Sequence, residues 1–140
     1  MISQIHREFG ACGVDIRTYS PLTLAYVGDA VFEIIVRTLV VEKGQRAANT
    51  LHKHTTQIVC AQTQARMAEA LYDRMTEKEQ DTYRRAKNTK LNSSAKNASL
   101  SDYRKATGFE AVCGYLFLTD DVPRILELVR KALDILGIEL

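Results

Sequence analysis

Two acidic residues stand in surroundings that a carboxylate normally avoids. Asp29 lies within an apolar run formed by Leu22, Leu24, Val27, Val31, Phe32, Ile34, Ile35 and Leu39, and Glu110 sits among Phe109, Val112, Cys113, Leu116 and Phe117. An ionised carboxylate withdrawn from water is costly unless something compensates it. Each acid therefore calls for a cationic side chain, a proton or a metal ion. Two oxygen donors that leave room for retained waters suit Mg²⁺ and not zinc. The chemistry of such a pair would be metal-assisted hydrolysis. On the residues alone the alternative stays open: Arg37 and Arg104 are near enough in sequence to give each acid a private ion pair. Glu33, one helical turn after Asp29, is a candidate third ligand. It also precedes Arg37 by four residues, the favourable orientation for a helical ion pair, and that pairing is the preferred reading.

A second cluster points to a polyanion. Between residues 84 and 105 lie Arg84, Arg85, Lys87, Lys90, Lys96, Arg104 and Lys105, with Asp102 the only acid. This segment carries a formal +6 against +2 for the whole chain, so the other 118 residues sum to −4. Such asymmetry says more about partners than the total does. Asn88, Asn92, Asn97, Ser93 and Ser94 add donors suited to phosphates and 2′-hydroxyls, the groups by which an A-form duplex is read. No aromatic residue interrupts residues 89–101, which disfavours a stacking platform for single strands.

Other chemistries lack support. His52 and His54 are two apart and would face different sides of a helix. A glycine-rich phosphate loop, a nucleophile elbow and an HExxH pair are all missing. Cys12, Cys60 and Cys113 form no CxxC pair, which argues against a disulfide framework and for a reducing, cytoplasmic setting. Cys60 and Cys113 read as small buried hydrophobes. Residues 1–20 include Glu8 and Asp15 and resemble neither a signal nor a transit peptide. Residues 22–41 approach the length of a membrane span, but Asp29, Glu33 and Arg37 within them exclude it.

The elements that must position these residues are helices. Ser20 and Pro21 open a long one, expected to end at Lys43 before Gly44. It is apolar almost all round, as befits a core or subunit-interface helix. A second is expected over residues 49–75, bent near Cys60. The capping box Thr76-Glu77-Lys78-Glu79 starts a third, fading near Asn88. Residues 89–101 form a polar loop long enough to suggest a function. A fourth helix covers 102–118, and a fifth opens at Asp120-Asp121-Val122-Pro123 and ends near Gly137. No stretch alternates with the period of a strand. The expectation is one all-α domain over residues 1–140. Gly114, on the face of Glu110, would let a neighbouring helix approach closely. Gly28 adjoins Asp29 without sharing its face.

These motifs together resemble a known family. Tyr26-Val27-Gly28-Asp29-Ala30-Val31-Phe32-Glu33 is similar to the signature helix of ribonuclease III domains. Phe109-Glu110-Ala111-Val112-Cys113-Gly114-Tyr115-Leu116 resembles their second acidic motif. Leu51-His52-Lys53, Gln64-Ala65, Arg85, Asn88, Lys90, Lys96-Asn97, Tyr103-Arg104 and Thr107 resemble the Mini-III subgroup in particular, over residues 22–118. The resemblance implies a helical-bundle endoribonuclease acting on double-stranded RNA as a homodimer, with no separate RNA-binding domain. It implies Asp29 and Glu110 as catalytic ligands of Mg²⁺, with Mn²⁺ as a substitute, and Glu33 and Thr107 as outer contributors. RNA contacts would fall to Arg85, Lys87, Asn88, Lys90, Lys96, Asn97 and Arg104. The substrate would be a large-subunit ribosomal RNA precursor, and a ribosomal protein is a conceivable partner. Ala25 and Thr107 occupy positions that are acidic in longer relatives, and Ala86 and Ala95 replace a Gly and a Pro of the subgroup's loop. The alternative on the same fold is a non-catalytic RNA-binding or ribosome-assembly module.

Overall fold

In the computed structural model, residues 1–11, 13–90 and 99–140 are described. They form seven α-helices: α1 (Ile2–Phe9), α2 (Pro21–Glu42), α3 (Ala48–Val59), α4 (Ala61–Leu71), α5 (Glu77–Lys87), α6 (Leu100–Leu118) and α7 (Val122–Leu136). Two short 3₁₀ turns, Ile16–Thr18 and Tyr72–Arg74, complete them, and no strand occurs among the described residues. No helix among these residues is long and apolar enough to cross a membrane.

The starts follow from local chemistry. The Thr23 amide donates to the Ser20 hydroxyl at 3.2 Å, with Pro21 in the first turn where its missing N–H costs nothing. At α5 both bonds of the capping box are made: Glu79 N to Thr76 Oγ1 at 3.1 Å, and Thr76 N to Glu79 Oε1 at 2.9 Å. Ser99 opens α6 by accepting from Asp102 N at 3.0 Å, so that helix begins earlier than the expected residue 102. Gly137, in the left-handed conformation with φ +66°, ends α7.

The expected helix over 49–75 is two helices. Cys60 is extended (φ −66°, ψ 156°), which frees carbonyls at the end of α3. Side chains of α4 take them up: Thr63 Oγ1 donates to Gln57 O at 2.7 Å, and Gln64 Nε2 donates to Val59 O at 2.8 Å. Cys60 is thus a half-buried junction residue, not a core hydrophobe, whereas Cys113 is buried as expected. Helix α1 was not anticipated, although Ile2, Ile5 and Phe9 recur at helical spacing. Of these only Ile2 reaches the core.

Helix α6 is the centre of the bundle. It buries Ala106, Thr107, Gly108, Phe109, Ala111, Val112, Cys113, Gly114, Leu116 and Phe117, against α2, α4, α5 and α7. Phe109 meets Phe32 of α2 edge to face, with centroids 5.1 Å apart. Helix α2 is not buried all round. Leu24, Ala25, Gly28, Val31, Phe32, Val36 and Val40 face the core, while Leu22, Tyr26, Ile34 and Val41 remain exposed.

Candidate active site

Backbone contact makes the site. Helices α2 and α6 cross at Gly28 and Gly114. A Cβ on Gly28 would strike the Glu110 carbonyl and come within 2.7 Å of Gly114 N. A Cβ on Gly114 would strike the Leu24 carbonyl and come within 3.0 Å of Gly28 N. The two glycines are therefore reciprocal, and Gly28 matters as much as Gly114. Since no side chain separates the helices here, the residues flanking the crossing are drawn together.

Asp29 and Glu110 are those residues. Their carboxyl groups lie within hydrogen-bonding reach of each other. Burial, then the hydrogen bond and charge of Asp29, push the Glu110 carboxyl up to about 8, against a smaller opposing effect of the Gln64 amide. Two acids that share one place without a cation behave in this way. Asp29 itself is exposed in the single chain, not withdrawn from water as its apolar neighbours suggested. Neither acid forms an ion pair among the described residues. Arg37 pairs instead with Glu33 at 3.6 Å, and Arg104 has no acidic partner there.

The remaining candidates divide. Glu33 is occupied by Arg37, and no cluster of three His, Cys, Asp or Glu side chains suited to a metal occurs among the described residues. The Thr107 hydroxyl is buried and donates to Tyr103 O at 3.0 Å, one turn back in its own helix. Gln64 reaches the site without having been singled out for it. Its Nε2 lies 3.4 Å from Glu110 Oε2, while its Oε1 is buried with no partner among the described residues. Gln64-Ala65 had marked the subgroup resemblance, but a neutral amide at a helix start does not by its type indicate a place beside Glu110.

On the basic side, Arg84 donates to the Tyr72 hydroxyl at 2.7 Å, and Lys105 pairs with Glu69. Lys87 lies over the Tyr83 ring, 5.8 Å from its centroid, and Asn88 ends α5. Arg85, Lys90 and Arg104 are exposed and form no ion pair among the described residues, so their charge remains available. Lys96 and Asn97 lie outside the described residues, as do Asn92, Ser93, Ser94 and Ala95.

Residues 22–121 match the family described as Ribonuclease III domain. Similar proteins include Mini-ribonuclease 3 of Clostridium tetani, 43% identical over 86% of this chain and 81% of that protein. Mini-ribonuclease 3 of Enterococcus faecalis is 41% identical, with 88% of this chain and 95% of that protein covered. The X-ray crystal structure of protein FN1578 from Fusobacterium nucleatum matches with a TM-score of 0.78 at 28% identity, over 84% of this chain and 96% of that one.

Proposed function

This chain belongs to the ribonuclease III family and is an endoribonuclease of that type, and from that membership we propose that it hydrolyses double-stranded RNA at the Asp29–Glu110 pair, as a homodimer and with Mg²⁺. The observation that carries this reading is the meeting of two carboxyl groups from different helices, neither of them in an ion pair among the described residues.

The donor set fits a hard divalent ion. Asp29 and Glu110 offer carboxylate oxygens, and Gln64 brings an amide oxygen that has no partner among the described residues. With only two acids, affinity in the absence of RNA should be weak. When bound, the ion would supply polarisation of the scissile phosphate and a more acidic attacking water.

The chain's own residues would do the rest. Glu110 must give up its proton to act as a ligand. The glycine crossing keeps it beside Asp29, so little reorganisation accompanies the reaction. Arg85, Lys90 and Arg104, joined by Lys87, Asn88, Lys96 and Asn97, would hold the duplex by its phosphates and 2′-hydroxyls. The exposed apolar side chains of α2, led by Tyr26 at 82% exposure, Val41 at 55% and Ile34 at 53%, suit cover by a second copy. A large-subunit ribosomal RNA precursor is the substrate that the family resemblance favours.

The deciding experiment is incubation of a labelled RNA duplex with the protein, with and without Mg²⁺, alongside Asp29→Asn. Cleavage should need the ion and should disappear in the variant while helicity is retained. Cleavage by Asp29→Asn at the rate of the unaltered protein would refute the assignment.

A further inference from the structure

Gln64 sits where two demands meet. In an unbroken helix the Val59 carbonyl would accept from the Thr63 amide, but the extended backbone at Cys60 removes that donor. The Gln64 side chain replaces it at 2.8 Å. A carbonyl acceptor requires a donor, so this bond fixes which end of the amide is nitrogen. The same Nε2 lies 3.4 Å from Glu110 Oε2, and Oε1 faces no donor among the described residues. The side chain is only 2% exposed.

A buried acceptor without a partner forfeits its hydration, and a methionine would occupy nearly the same volume without that loss. The junction alone explains the nitrogen. It leaves the oxygen, and the contact with Glu110, without a purpose.

We propose that Gln64 is a positioning residue for the hydrolytic centre: its amide nitrogen, anchored on Val59, orients the Glu110 carboxylate, and its oxygen accepts from the hydrated divalent cation that Glu110 binds. This rests on the reading of Asp29 and Glu110 as ligands. It ties metal binding to the α3–α4 junction. Groups that orient a ligand from behind it are a common determinant of metal affinity. No covalent step is assigned to Gln64.

The test compares Gln64→Met with Thr63→Val, which removes the junction bonds of the Thr63 hydroxyl, to Gln57 O and Cys60 Sγ, without touching Glu110. Mn²⁺ is titrated into the RNA-free protein and followed by the electron paramagnetic resonance of the free ion. Single-turnover cleavage is measured in parallel. Gln64→Met should weaken Mn²⁺ binding and lower the cleavage rate by roughly 10- to 100-fold, with RNA affinity unchanged. Thr63→Val should match the unaltered protein in both. Unchanged Mn²⁺ binding in Gln64→Met, or an equal loss in Thr63→Val, would overturn the proposal, since either outcome reduces Gln64 to a structural cap. Should Gln64→Met fail to fold, Gln64→Asn, too short to span Val59 and Glu110, is held to the same expectations. Asp29→Asn serves as the separate control. If it kept both Mn²⁺ binding and cleavage, the ligand assignment itself would fall, a result distinct from a failure of Gln64 alone.

Discussion

In the proposed site Glu110 faces two requirements: it would have to be ionised to bind a cation, yet burial and Asp29 favour its proton. Its pKa of about 8, against an ordinary 4.5, has a consequence for stability. Between those values the folded, cation-free protein keeps a proton that the unfolded chain has lost. Stability therefore declines as pH rises through this window and levels off above it. Thermal melts in EDTA should show the unaltered protein losing midpoint temperature between about pH 5 and pH 8.5 relative to Glu110→Gln, by roughly 3 °C or more. Parallel curves for the two proteins would show that Glu110 is not buried against a second acid. The candidacy of Asp29 and Glu110 was readable from residue type and surroundings. The exposure of Asp29 was not, because the apolar neighbours that suggested burial are divided between the core face of α2 and its outer face.

At the level of elements, the crossing of α2 and α6 decides whether a site exists. Gly114→Ala would set a methyl group against the Leu24 carbonyl, which is backbone and cannot swing aside. The helices would have to separate. We expect a loss of about 1–3 kcal/mol in urea unfolding, the usual scale for overpacking, together with loss of cleavage as the acids part. A variant of full stability and activity would mean that the crossing tolerates a wider spacing than this geometry allows. Helix α5 is secured separately. Arg124 of α7 donates to both oxygens of the buried Glu79 at 2.9 Å, joining the capping box of α5 to α7. This ion pair supports the helix that carries Arg85 and Lys87. Helix starts were legible because a cap is a matter of adjacent residues, as at Ser20, Thr76 and Asp121. The break at Cys60 was placed well as a bend and missed as an interruption, since the side chains that satisfy it, Thr63 and Gln64, do so only in three dimensions.

For the whole molecule the question is how an RNA duplex is held with a net charge of only +2. The answer we propose lies in distribution, with Arg85, Lys90 and Arg104 forming no ion pair among the described residues. Lys90→Ala, and likewise Lys96→Ala, should weaken duplex binding and lower the slope of log affinity against log salt by about one each. An unchanged slope would remove that lysine from the phosphate contacts. What the amino-acid sequence determined by itself was local: which residues are fit for chemistry, where helices start, and which segment is rich in positive charge. Side-chain type, capping and periodicity act over a few residues and are written there. What only the tertiary structure decided was convergence. Asp29 and Glu110 are 81 positions apart, and they meet because two glycines let one backbone rest directly on another. The same packing delivers Gln64 from a third helix. Contact of this kind depends on the absence of side chains at one crossing point, and a pattern read along a single helix does not reveal which other helix will fill the gap.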